Sequence, residues 1–239
     1  AAEIGIKGIS LVGDGESSSS PVYVDAIERG GKNGLSMANA TNGFTLNQEK
    51  LERILPHLTY LRFNISAGEP KRYAEIMGCK EKWFEKVVKN IEHAVKIKKK
   101  NSLKVTIGMQ MVFMPQYHDQ IMPLTKLGKE LQPDYLVIKH CSDDEDGSLG
   151  VNYKAYSKLY SLLEEAESFS SSLGDEAVGL LRISASNNFS KVIFVSLMAV
   201  LFPIIFTICR IMKYNSLSHL SSYENFLCGF HIRGIFSLK

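Results

Sequence analysis

Three short polar stretches, each trailing an apolar run, carry residue types that could hold a charged ligand. Gly13-Asp14-Gly15-Glu16 offers two glycines whose backbone can come close to a bound molecule, and a carboxylate that accepts hydrogen bonds from an ammonium group. Thr41-Asn42-Gly43 presents a hydroxyl and an amide beside a glycine. Arg62, Asn64 and Ser66 alternate along one run, so they share a strand face. A fourth stretch, Lys139-His140-Cys141-Ser142-Asp143-Asp144, adds a cation that could anchor a substrate, an imidazole that titrates near neutral pH, and a thiol able to give hydrogen to a radical. Plain structural readings stand beside these. Gly-Asp-Gly and Asn-Gly are common turns, Lys139 can pair with the acidic residues after it, and a lone Cys141 packs as a small hydrophobe. Met109, Met111 and Met114 read as core filling.

The elements that must position these residues alternate between apolar strands and helical patterns as far as about Ser170. Strands are predicted near Ile4–Val12, which reads as buried, and near Leu35–Ala40, Leu58–Ser66, Val105–Phe113 and Tyr135–Lys139. Helices are predicted over Pro21–Arg29, after an Asn47 cap, over Lys82–Lys99, over Tyr117–Leu131 and over Tyr153–Glu167. Five strands in alternation with helices fit either a partial barrel or an open doubly wound sheet, and in both, ligands sit at the carboxyl ends of the strands. The four polar stretches all lie at such ends.

Charge divides the chain unevenly. From Val178 onward six basic residues face one acidic residue, a balance of +5, whereas the first 177 residues carry −2 and give no electrostatic footprint for nucleic acid. The lysines around Lys96–Lys100 suit a solvated helix end. Residues 171–239 form an atypical tail in which 192–209 is 18 residues without a formal charge. As helix it would span about 27 Å, close to a hydrocarbon core, so a membrane anchor is one reading. Pro203 in its middle, and a Ser/Phe/Leu/Ile-rich end, weigh instead toward a tail foreign to the fold, such as a frameshifted gene end. No signal peptide is read at the start, which implies the reducing cytoplasm, and the abrupt opening into a strand implies missing upstream sequence.

In order and spacing these motifs resemble the radical S-adenosylmethionine (SAM) superfamily, in particular its branch of peptide- and small-molecule-modifying enzymes with C-terminal auxiliary-cluster domains. Members show a strand ending in Gly-Gly-Gly-Glu-Pro, then one ending in Thr-Asn-Gly, then one reading Leu-Arg-x-Ser. The counterparts here are Gly13 to Ser17, Ala40 to Gly43 and Leu61 to Ser66, continued by Ala67-Gly68 and by Tyr73, Ile76, Met77 and Gly78. The likeness runs over roughly residues 4–168.

That resemblance implies an α/β fold, a partial (β/α)6 barrel over residues 1–170, with SAM and a 4Fe-4S cluster as cofactors. By similarity Gly13, Asp14, Gly15 and Glu16 would contact the methionine amino group, while Thr41, Asn42, Asn64 and Ser66 would lie near the ribose or carboxylate. It implies reductive cleavage of SAM to a 5′-deoxyadenosyl radical, a small-molecule or peptide substrate, and a reductant such as flavodoxin or ferredoxin. Asp14 and Ser17 depart from the motif. The cluster's Cys-x-x-x-Cys-x-x-Cys triplet is absent, because Cys79, Cys141, Cys209 and Cys228 are far apart, and it is expected before residue 4. The chain therefore reads as a truncated, inactive piece of such an enzyme. Two alternatives stay open: a phosphate-binding α/β module using Ser17 to Ser20 before a helix, and a membrane-anchored protein.

Overall fold

The computed structural model describes residues 2–13, 15–144, 147–171 and 180–184. Six parallel strands form one sheet: β1 Gly8–Leu11, β2 Ser36–Thr41, β3 Leu58–Asn64, β4 Thr106–Phe113, β5 Tyr135–His140 and β6 Leu180–Ser184. Their order in the sheet is their order in the chain. A doubly wound sheet reverses direction at a switch point, and none occurs here. Crossovers between successive parallel neighbours are right-handed as a rule, which puts the connecting helices on one side of such a sheet and leaves the other as the concave face of a partial barrel.

The helices are α1 Tyr23–Lys32, α2 Gln48–Ile54, α3 Pro70–Met77, α4 Glu81–Lys100, α5 Ile121–Leu131, α6 Tyr153–Ser157 and α7 Tyr160–Ser171. Asn47 caps α2 by accepting from the Lys50 amide at 2.8 Å, as its side chain predicts. In α4 the stripe Phe84, Val87, Ile91, Ala94 and Val95 is buried, and the lysine-rich last turn binds outward, with Lys98 paired to Asp134 and Lys96 to Glu92. Met109 and Met111 are fully buried among Leu61, Phe63, Ile107 and Ile138 in the layer between sheet and helices.

Several boundaries differ from the sequence reading for local reasons. Gly5, at φ +89°, breaks the first extended run, so β1 starts only at Gly8. It is a half-exposed edge rather than a buried strand, with Ile6 42% and Val12 59% exposed. Pro115 opens a 3-10 turn over Pro115–Gln120, with Tyr117 out of helical geometry, and α5 begins after it. The helix α3 begins with Pro70 at its first position and ends on Gly78 in the left-handed region. The sheet also continues past residue 170, since β6 pairs with β5. The apolar segment 192–209 lies outside the described residues; among those described, no helix is long and apolar enough to cross a membrane.

Candidate functional site

The parallel strands bring the loops after β1, β2 and β3 to one rim, where Glu16 is the hub. Its Oε1 accepts from the Ser18 amide at 3.1 Å, the Ser18 hydroxyl at 2.5 Å and the Thr41 hydroxyl at 2.7 Å. Its Oε2 accepts from the Asn42 amide at 2.7 Å. The protons are ordered by this arrangement. Thr41 and Ser18 each give their single proton to the carboxylate, so Thr41 accepts from the Gly43 amide at 3.0 Å and Ser18 accepts from the Thr45 hydroxyl. Oε1 is saturated, whereas Oε2 keeps a lone pair. Charge-assisted bonds of this kind are the stronger class, so Glu16 locks the loop after β1 onto the end of β2.

Behind this hub the Ser17 hydroxyl bonds Leu11 O at 3.3 Å and Asn39 Oδ1 at 3.1 Å, while Asn39 Nδ2 donates to the Tyr23 hydroxyl at 2.7 Å. Burial, then the nearby Glu16 charge, pushes the Tyr23 hydroxyl well above the usual phenol range. Asn42 Oδ1 accepts from the Phe44 amide at 2.9 Å and closes the turn after β2. A Cβ at Gly13 or Gly15 would meet nothing within 4 Å, so the face of that loop is open.

The concave face follows from register. Ala40, Arg62, Gly108 and Tyr135 lie side by side across β2 to β5, and Asn64 and Gln110 stand one step nearer the rim. Gly108 is required there, because a Cβ would run into the Tyr135 ring. That ring stacks on Tyr60 at 6.1 Å between centroids, and the two hydroxyls are hydrogen-bonded. Burial and that bond push the Tyr135 hydroxyl above its ordinary range, while Arg62 pulls the other way. Above this pair, Arg62 Nε and Asn64 Oδ1 are cut off from solvent and have no hydrogen-bond partner.

Of the residues singled out in the sequence, Gly15, Glu16, Thr41 and Asn42 are thus joined at one rim, with Gly13 on the same loop and Asn64 and Ser66 at the end of the next strand. Asp14 lies outside the described residues. Lys139 is opposite Val112, on the concave face and exposed. His140 points the other way: it packs against Tyr153 and Tyr156 of α6, at 5.9 and 5.4 Å between ring centroids. Cys141 carries its backbone amide to Phe113 O at 2.8 Å and its thiol toward Ser142 O. The structure does not bring this pair to Glu16. The sequence reading takes Ser18 only as part of the Ser17–Ser20 loop and does not single out Thr45 or Asn39; the Ser18–Thr45 and Asn39–Tyr23 contacts span 27 and 16 positions and leave no local pattern. In the Ser17–Ser20 loop the hydroxyls of Ser17 and Ser18 are turned inward to Asn39 and Glu16, whereas Ser19 and Ser20 are exposed.

The sequence model of the Radical SAM superfamily matches residues 1–125, more than half of the chain. The chain belongs to the radical SAM superfamily. No curated protein sequence matches it. Among solved structures it is similar to Streptococcus suis SuiB bound to S-adenosylmethionine, with a TM-score of 0.58 and 16% identity over 76% of this chain and 40% of that one. A domain of a pyruvate-formate lyase-activating enzyme from Bacteroides vulgatus matches at TM-score 0.52 and 12% identity, over 75% of this chain and 99% of that domain. TYW1 with a lysine-pyruvate adduct bound matches at TM-score 0.52 and 18% identity, over 67% and 50%. At these identities the structures share the fold. The chain spans about two fifths of the length of SuiB.

The superfamily uses SAM and a 4Fe-4S cluster. The residues present fit the first: an open glycine loop, a carboxylate oxygen with a lone pair, and the buried acceptor Asn64 Oδ1 without a partner lie at the ends of β1 to β3. They do not fit the second. The described cysteines, Cys79 and Cys141, are far apart, and no group of three or more His, Cys, Asp or Glu side chains is placed to hold a metal among the described residues.

Proposed function

We propose that the rim formed by the loops after β1, β2 and β3 binds SAM for radical chemistry on a small-molecule or peptide substrate. The observation that carries this reading is the Glu16 hub, which ties the loop after β1 to the end of β2, together with the unpartnered Asn64 Oδ1 at the end of β3. In this reading the backbone of Gly13 and Gly15 and the remaining lone pair of Glu16 Oε2 receive the methionine ammonium. Asn64 Oδ1 accepts from a ribose hydroxyl, and Ser66, at the end of the same strand, bonds the ribose or the carboxylate. In the family, SAM supplies a radical that removes hydrogen from the substrate, and this needs a cluster whose cysteine triplet the sequence lacks. SAM binding, rather than SAM cleavage, is therefore the activity assigned to this chain. Peptide substrates are favoured by the likeness to SuiB, a structure of which holds its precursor peptide SuiA. An external one-electron donor such as flavodoxin or ferredoxin belongs to the parent reaction.

Titration calorimetry of the full chain with SAM tests this. SAM is expected to bind, and Asn64→Leu is expected to weaken it at least about tenfold, roughly 1.4 kcal/mol, without changing the circular dichroism spectrum. A folded chain that binds no SAM at millimolar concentration contradicts the reading.

A further inference from the structure

Arg62 has a feature that SAM binding does not explain. Its guanidinium stands on the concave face one step below Asn64, flanked in register by Ala40 and Gly108, the two smallest side chains of that layer. Its Nε is cut off from solvent with no acceptor. The concave positions of β1 to β5 offer none with charge: they are Gly8, Ser10, Ser36, Ala38 and Ala40, then Tyr60 and Asn64, then Thr106, Gly108, Gln110 and Val112, then Tyr135, Val137 and Lys139. Among the described residues of β1 to β5 the face therefore carries two cations, Arg62 and Lys139, and no carboxylate, and Arg182 of β6 stands in register with the concave Val137. Glu16, the acid that joins the loops after β1 and β2, already accepts four hydrogen bonds.

An unpaired, partly desolvated guanidinium is costly, and a polar atom left without a partner inside a cavity calls for an explanation. Arginine presents donors in a rigid fork that matches a carboxylate or a phosphate and stays charged at every accessible pH. SAM carries one carboxylate against a sulfonium and an ammonium, so even a SAM that engaged Arg62 would leave the face with a net positive charge, which a separate anionic partner balances. Ala40 puts little side chain beside the guanidinium on one side, while on the other the Tyr135 ring, hydrogen-bonded to Tyr60, covers Gly108.

We infer that Arg62 anchors an anionic group, a carboxylate or a phosphate, on the substrate that the SAM site serves, with Lys139 as the second cation of the same lumen. This rests on the SAM reading above for the identity of the second ligand. It makes the substrate class a small acid, or a peptide presenting an acidic side chain or terminus.

The test is calorimetry on the full chain with and without saturating SAM, using glutarate, inorganic phosphate and the uncharged isostere glutaramide as probes. At least one of the two anions is expected to bind, with glutaramide at least tenfold weaker; which anion binds tells carboxylate from phosphate. Arg62→Gln is expected to weaken the anion at least tenfold and SAM less than twofold. Arg62→Met is expected to leave the melting temperature unchanged or raised, since it removes an uncompensated charge, whereas a structural arginine would lower it. Anions that bind no tighter than glutaramide to a protein that binds SAM overturn the inference. So does an Arg62→Gln variant that loses SAM and keeps the anion, because Arg62 would then belong to the SAM site. A wild-type chain that binds the anion through Arg62 but not SAM sinks the SAM reading and leaves the anion site standing.

Discussion

Glu16 and Arg62 are opposite solutions for a charged side chain near a cavity. Glu16 accepts from four donors of its own chain, and Arg62 Nε has no acceptor. The candidate ligand residues were legible because glycines, a carboxylate and a period-two polar strand can be seen in a sequence. Their wiring was not, since it depends on Ser18, Thr41 and Thr45 meeting across two loops. Buried hydroxyls set a second residue-scale expectation. Burial, helped by Cys79, pushes the Tyr73 hydroxyl up to about 12, and burial also raises Tyr23, Tyr135 and Tyr156. A raised folded value means that the native state holds the proton more tightly. The associated stability is fully present below the unfolded tyrosine value, about 10, and is lost as pH rises through about 12. Denaturant midpoints measured from pH 9 to 12 should fall only above pH 10, with the phenolate absorbance of these four tyrosines appearing together with unfolding. A full ten-tyrosine phenolate signal before any loss of structure would show that these rings are open to solvent.

Among the elements, α4 supports the rim from outside. Asn90, 4% exposed, donates through Nδ2 to Gly43 O and Leu46 O, both at 2.8 Å. It thereby holds the turn after β2, where Gly43 has φ +75° and a Cβ would lie 2.8 Å from the Phe63 ring. Asn90→Ala should cost about 2 kcal/mol, because two buried carbonyls lose their donor, and should weaken SAM binding by loosening Thr41 and Asn42. Chemical denaturation and calorimetry on the same variant check both; an unchanged stability would show that water replaces the amide. Helical periodicity revealed α4 because a 20-residue stripe is unambiguous. It missed α3, eight residues long, whose ends are set by Pro70 and Gly78 rather than by an apolar stripe. His140 was misplaced for a related reason. Alternation puts Lys139 and His140 on opposite faces of β5, and only the strand's pairing tells which face is concave.

For the molecule as a whole, periodicity left barrel and doubly wound sheet unresolved, and the unbroken strand order resolves it. Strand order is a long-range property that local patterns do not contain. Among the described strands the same order leaves β1 as an edge, flanked by Ile4, Ile6 and Val12 at 81%, 42% and 59% exposure. Exposed apolar edges invite pairing between copies, and a lysine there discourages it. Light scattering should show concentration-dependent association of the chain that Ile6→Lys reduces; equal scattering from both would mean that this edge is not the contact. The proposed SAM site lies at the ends of β1 to β3. Hydrogen exchange of the full chain with and without saturating SAM locates that site directly. Slowed exchange confined to residues 12–17, 41–45 and 62–66, with α5 and α7 unchanged, is the predicted result. Saturable binding that protects none of these three segments would contradict the account.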